Sequence, residues 1–364
     1  MVSALEFEKS ASELINRSLY QAFQGGKALF GLVHKGFSSR MAACAVPGFE
    51  NATVPLSEPL QKLLETKRDE LLDEDWRDAQ QGIYPERLLF DNPWRDFFQY
   101  YPAVWTDMPS IWARLRQKEY KAFAESIDRT GYPAYYLQNF HFQTDGYLSE
   151  LSANLYDLQV ELLFNGTADP MRRRILAPLK QHLTAAPFDS IPQPKVLDVA
   201  CGTGRTLRML RGTLPNAKLF GTDLSPAYLR KANESLSELP GELPQLMQAN
   251  AEALPYLDNF FDAVTSVFLF HELPASARQA VIEQAFRVVK PGGLFIICDS
   301  LQLMDTPAFK DIMLNFTASF HEPYYRHYIK DDLNARLGSA GFEKPHTAQH
   351  FFSKYWVARK PAKV

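Results

Sequence analysis

The chain of 364 residues is poor in cysteine: Cys44, Cys201 and Cys298 are its only thiols, and no two form a C-x-x-C pair. Three thiols exclude a disulfide scaffold and a cysteine-rich zinc site, and they fit a reducing compartment. An excess of either charge is also missing. Thirty-nine basic against 42 acidic residues leave a net charge of -3, which argues against a broad nucleic-acid-binding face. No apolar run approaches the length of about 18 residues that a membrane-spanning helix needs; the stretch ALFGLV at 28–33 is far too short. The opening MVSALEFEKSASELINRSLY carries charge too early for the apolar core of a signal peptide. The expected location is the cytoplasm, with contact to a membrane surface left open. Neither a G-x-G-x-x-G dinucleotide fingerprint nor a phosphate loop ending in Gly-Lys-Ser/Thr is present. There is no internal repeat.

What is present is ordinary for a globular protein, 46% hydrophobic and 22% charged, at a length that suits two domains. Aromatic residues are plentiful, with 26 Phe, 16 Tyr and 5 Trp, and many fall in the first half. Residues 1–145 show helical patterning without a strand ladder and read as a mainly helical, aromatic-rich substrate or lid domain. Within it, 57–80 places leucines near helical spacing. The aromatic stretch 90–123 is interrupted by Pro93, Pro102 and Pro109, which predicts several short helices. Most of these aromatics are expected to be core. Residues 146–194 read as covering helices and a linker. One amphipathic helix spans 147–164, Asn165-Gly166 stops it, and Asp169-Pro170 supplies a cap and first-turn proline for the next, before the proline-rich linker 185–194.

From 195 to 364 the pattern changes. Short apolar runs at 195–200, 218–222, 245–249, 261–268 and 293–298 alternate with helical stretches at 204–213, 226–238 and 275–289; a helix at 330–340 and a hairpin of 346–352 with 353–359 follow. Buried runs separated by helices mean an α/β fold with a parallel sheet covered on both faces. The first run, KVLDVACGTGR, is a strand that ends in a glycine-rich turn opening a helix, the usual ligand-binding place of such a sheet. Gly202 and Gly204 let the backbone come close to a ligand. Asp198 inside this motif would repel a pyrophosphate and suits a positively charged ligand. Asp223, at the end of the second run, can accept two ribose hydroxyls.

VLDVACGTGR, GTDLS, NAEALPY, FDAVTSVFLFHEL and VVKPGG, in this order, resemble a class I S-adenosylmethionine-dependent methyltransferase, and within that class the ubiquinone/menaquinone C-methyltransferase group. The resemblance covers about 195–360. It implies a seven-stranded Rossmann-like sheet of order 3-2-1-4-5-7-6 with an antiparallel last strand, to which this chain adds its helical N-terminal domain. It implies S-adenosylmethionine as cofactor and S-adenosylhomocysteine as product. Carried over residue by residue, Asp198, Gly202 and Gly204 face the methionyl part, Asp223 the ribose, Leu224, Asn250 and Ala251 the adenine, and Phe268 the sulfonium; Ala200, Cys201 and Thr203 of the same turn are also expected to bind the cofactor. Ala200 stands where the group usually has glycine. The long aromatic N-terminal half is no part of those compact enzymes.

Methyl transfer is an in-line displacement that needs alignment and exclusion of water, and a base only when the acceptor must lose a proton. Histidine near neutral pH is the natural candidate. His271, His321 and Tyr324 are the expected catalytic residues, with His141, Glu272 and Asp299 in reach of the same strand ends. FLFHEL in place of an Asn/Asp-Pro-Pro-Tyr/Phe motif lowers nucleic-acid and amide-nitrogen targets, and no metal ligands stand at recognisable spacing. The expected partner is therefore a small hydrophobic or aromatic acceptor, quinone-like or phenolic, methylated on carbon or oxygen, with no nucleic acid. A cofactor-binding scaffold without turnover and a protein methyltransferase are the alternatives.

Overall fold

The computed structural model describes residues 4–45 and 56–362. Three long helices come first: α1 (Ala4–Ala45), α2 (Glu58–Gln80) and α3 (Trp94–Gln117). Three covering helices follow, α4 (Glu150–Leu163), α5 (Ala168–Arg173) and α6 (Leu176–Leu183). The alternating half then runs β1 (Lys195–Val199), α7 (Arg205–Thr213), β2 (Lys218–Asp223), α8 (Pro226–Ser237), β3 (Gln245–Gln248), β4 (Phe261–Val267), α9 (Ala275–Val288) and β5 (Val289–Ser300). It closes with α10 (Lys310–Ser319), α11 (Tyr325–Tyr328), α12 (Leu333–Ala340) and the hairpin β6 (His346–His350) and β7 (Ser353–Arg359).

The seven strands form one sheet in the order β3-β2-β1-β4-β5-β7-β6. The first five are parallel, whereas β7 runs antiparallel to β5 and to β6. The central strands read as unbroken apolar runs because both faces are covered. One face packs α9 to α12 around Phe270, Phe295, Tyr328 and Trp356. The other carries Trp76, Tyr84 and Leu88 from the N-terminal helices in the same cluster as Val196, Ile296 and Tyr355 of the sheet. The helical half is thus laid directly onto the sheet. Side-chain caps fix several starts: Ser149, Ser225 and Asp332 each accept the backbone N–H three residues on.

Three expectations change. Pro102 and Pro109 do not divide 94–117, which is a single helix. Its buried Phe97 and Val104 pack on Leu155, Leu158 and Leu162 of α4, and Trp112 packs on Ala42 of α1, so tertiary packing outweighs the two lost helical hydrogen bonds. The helix expected from Tyr147 starts at Glu150, since Gly146 adopts φ 54° and Tyr147 turns inward. Asp169 does not cap α5. It is buried and its carboxylate receives the Arg205 guanidinium at 2.5 Å and Arg172 at 3.1 Å. Burial alone would raise its pKa, but Arg205 and Arg172 hold it well below the usual carboxylate range. Along α1, the apolar side chains of Leu14, Ile15, Leu19, Leu29, Val33 and Phe37 are exposed.

Asp169→Ala leaves Arg205 and Arg172 charged, buried and without their shared partner. The expected loss is on the order of 3–5 kcal/mol of stability, measured as the shift in a denaturant unfolding curve.

Candidate active site

At the carboxyl ends of β1, β2 and β4 lies a cavity of about 90 Å³, the usual ligand-binding place of such a sheet. Ala200 and Gly202 line it from the first turn, Asp223 and Leu224 from the end of β2, Ala249 to Ala251 after β3, and Val267 to Leu269 after β4. The turn is tied to the second strand by two bonds: Cys201 N–H donates to Thr222 O at 2.9 Å, and Gly202 N–H donates to Asp223 Oδ2 at 2.9 Å. Ser225 N–H donates to the other oxygen of Asp223 at 2.8 Å. Ala200 adopts φ 57°, a left-handed backbone in which a β-carbon is strained; this is the physical reason a glycine is usual there. Phe268 is held at φ 59° and stacks on Phe164, with Arg172 over its ring at 5.5 Å.

The opposite wall comes from the N-terminal half and α8: Tyr135, Tyr136, Phe140, Tyr147, Tyr156 and Tyr228. Tyr135 donates to Glu252 Oε1 at 2.6 Å, closing this wall onto the segment after β3. Ser152, at the start of α4, and Tyr228 share a hydrogen bond of 2.8 Å. Burial pushes the hydroxyls of Tyr136, Tyr147 and Tyr228 well above their ordinary value, so they stay neutral.

Of the expected cofactor residues, the structure brings Ala200, Gly202, Asp223, Leu224, Asn250, Ala251 and Phe268 to the cavity. The other four lie beside or beneath it. Asp198 is buried in the sheet and accepts the Thr265 hydroxyl at 2.8 Å. Cys201 is packed against Gly221, where an added β-carbon would come within 2.9 Å of its sulfur. The Thr203 hydroxyl donates to Asp157, and Gly204 lets α7 approach Ala232 and Leu236. None of the three expected catalytic residues lines the cavity. His271 is paired with Asp299 at 2.7 Å, and although burial would lower its pKa, that carboxylate pushes it up to about 10. His321 stacks on Tyr120 with ring centroids 4.1 Å apart and bonds Gln138 at 2.8 Å. The Tyr324 hydroxyl accepts from the same Gln138 at 3.0 Å. Glu272 does line the cavity, and it receives the Tyr147 hydroxyl. Burial and the neighbouring Glu322 push it up to about 7.

Residues 196–293 match the family model described as a methyltransferase domain. An uncharacterised methyltransferase of Synechocystis sp. is 31% identical over 151 residues, covering 42% of this chain and 68% of that protein. The chain belongs to the class I S-adenosylmethionine-dependent methyltransferases. A demethylmenaquinone methyltransferase of Bacillus cytotoxicus is 36% identical over 116 residues, 32% of this chain and 48% of that protein. A malonyl-[acyl-carrier protein] O-methyltransferase of Geobacter sulfurreducens is 29% identical, covering 42% of this chain and 57% of that protein. This methyltransferase therefore spans about half the length of the demethylmenaquinone relative. The matched family segment ends before α10, and it begins after all of the aromatic wall that the N-terminal half contributes.

The residues fit the family's cofactor. Gly202 leaves open space where a β-carbon would sit, with only Tyr228 near at 3.9 Å. Asp223 keeps lone pairs free beyond its two backbone donors, and aromatic faces suit a sulfonium.

Burial also pushes Asp198 up to about 7. A carboxylate that holds its proton more tightly when folded adds stability below its ordinary value near 4, and that stability is lost as pH rises to about 7. In the cofactor-free protein, Asp198→Asn is expected to flatten the decline of the denaturation midpoint between about pH 4 and pH 7, the window this shift defines.

Proposed function

We propose that this chain transfers the methyl group of S-adenosylmethionine to carbon or oxygen of a small apolar or aromatic acceptor. The observation that carries the reading is the composition of the cavity. One side is the glycine turn with Asp223 and Asn250; the other is a wall of tyrosines and Phe140, of which the family segment supplies only Tyr228. The cofactor, when bound, supplies an electrophilic methyl on a sulfonium. Asp223 would hold its ribose through charge-assisted hydrogen bonds, Leu224, Asn250 and Ala251 would border the adenine, and Phe268 would lie against the sulfonium.

The chain's own work is alignment and exclusion of water. Tyr135, Tyr136 and Tyr147 enclose the acceptor end, and their hydroxyls remain neutral donors there. Tyr147 fixes the Glu272 carboxyl. His271, His321 and Tyr324 stand behind this wall, and we assign them to positioning: His271 holds the strand-end turn through Asp299, which also accepts the Phe270 N–H at 2.7 Å. His321 and Tyr324 hold Gln138. An apolar acceptor also suits the exposed apolar side chains of α1, together with the exposed Phe98, as a surface that meets lipid.

Asp223→Ala is expected to weaken binding of S-adenosylmethionine and S-adenosylhomocysteine by on the order of 2–4 kcal/mol in a calorimetric titration; unchanged affinity removes the ribose role. With labelled donor, the label should enter the organic extract of a quinol, phenol or lipid pool. Label in a protein band, or cofactor binding without transfer to any pool, speaks for the protein-methylating and scaffold alternatives respectively. Sedimentation with phospholipid vesicles should be reduced by Leu29→Glu combined with Phe37→Glu, and equal sedimentation of both proteins argues against the lipid-facing surface.

A further inference from the structure

Behind the acceptor end of the cavity, three groups far apart in sequence converge. His141, Glu272 and Glu322 each present one ligand atom, and these atoms lie within 4.8 Å of one another. Two donors held on opposite sides of one ion at about 2.1 Å stand about 4.2 Å apart, so a small side-chain movement would bring all three onto a common centre. His141 Nε2 already stands 2.8 Å from Glu322 Oε1.

The decisive feature is Glu322. Its side chain is 0% exposed, and apart from the ion-pair contact with His141 neither carboxylate oxygen receives a hydrogen bond among the described residues. A buried carboxylate with a single side-chain partner is costly, and the neighbouring carboxyl group of Glu272 adds repulsion rather than relief. His141 faces Glu322 directly. His271 is shared, with Nδ1 on Asp299 at 2.7 Å and Nε2 3.9 Å from Glu272 Oε1, while Arg278 is paired with Asp331. The backbone itself assembles the cluster. His141 N–H donates to His321 O at 3.1 Å, which zips the 141 segment to the 321–322 segment, and Glu272 is delivered by the short turn after β4.

We propose that His141, Glu272 and Glu322 form a site for a divalent first-row metal ion whose open coordination positions face the acceptor cavity. One imidazole nitrogen and two carboxylates are a mixed donor set, which suits manganese, iron(II) or zinc better than a soft thiolate-seeking ion or an all-oxygen calcium cage. Three protein ligands leave positions free, as in sites that bind a reactant. Glu272 is the member that reaches the cavity lining, so an oxygen atom of the acceptor can complete the coordination. The Tyr147 hydroxyl on Glu272 is the kind of outer hydrogen bond that orients a metal ligand. That the ion would hold an acceptor rests on the methyltransferase reading; the ion-binding site itself does not.

The test uses the full chain, stripped with chelator and titrated with MnCl2 and separately with ZnCl2. One equivalent is expected to bind, with the manganese resonance showing coupling to a single histidine nitrogen. Glu322→Gln and His141→Ala should each weaken binding at least tenfold, and the nitrogen coupling should vanish in His141→Ala. Titration of each protein with S-adenosylhomocysteine reports on the cofactor end independently. Metal binding with no S-adenosylhomocysteine binding keeps this site and removes the methyltransferase reading. Absence of stoichiometric binding of either metal, or binding that neither substitution changes, overturns the site even where S-adenosylhomocysteine binds normally.

Discussion

The pairing of Asp169 with Arg205 joins the covering helices to the catalytic half. Arg205 is the first residue of α7 and follows the glycine turn directly, while Asp169 lies in the first turn of α5. Both are buried, and two charges taken out of water hold only if each satisfies the other. Asn92 adds its amide to the same carboxylate at 2.9 Å, and Asp91 receives Arg208 of α7 at 2.8 Å. The turn that lines the cavity is therefore fixed from behind by the segment before α3 and by α5. Neighbouring Arg173 repeats the arrangement, with Asp75 of α2 at 2.6 Å and the hydroxyls of Tyr20 and Tyr84 on the same carboxylate. Helices α1, α2 and α5 are locked to one another by that second network.

With the back of the turn fixed, the front can be assembled from distant pieces. The segment 135–147 crosses the cavity with His141, Phe142, Asp145 and Gly146 all at positive φ. Such a backbone persists only where its surroundings hold it. Here Asn139 supplies much of that hold: its side chain accepts from Ala122 N–H and donates to the carbonyls of Ala122 and Gln143. Arg114 of α3 adds a bond to Phe142 O at 2.8 Å. The aromatic wall is thus a rigid irregular strap, and the positions of its tyrosines follow from polar anchors outside the cavity.

Charge in the site follows from the same burial. Asp198, Asp223 and Glu272 are all pushed upward by desolvation. A site with Asp223 and Glu272 in its lining and Asp198 beneath it favours a cationic occupant. The sulfonium cofactor answers that demand at one end. At the other end the demand falls on the His141, Glu272 and Glu322 cluster, where the buried Glu322 carboxylate has only the ion-pair contact with His141 among the described residues.

The sequence alone determined the parallel sheet, its glycine turn and the strand-end residues Asp223 and Asn250, because each of these is written within a few consecutive residues: an apolar run, a turn composition, a polar residue just after a strand. The order of the strands came from resemblance, and the sheet has that order. Only the tertiary structure decided the rest. The prolines in α3 read as breaks, because sequence shows the lost hydrogen bonds but not the packing on α4 that outweighs them. Asp169 read as a cap because its partner Arg205 lies 36 positions away. His321 and Tyr324 were visible as chemistry-bearing residues, yet their packing on Tyr120 and Gln138 takes them out of the cavity. The tyrosine wall and the His141, Glu272, Glu322 cluster join segments that lie far apart along the chain, as Tyr147 and Glu272 do at a separation of 125 residues, and no local pattern encodes such a meeting. It arises because the strap, the turn after β4 and the segment before α11 are each held at the same end of the sheet by buried polar bonds.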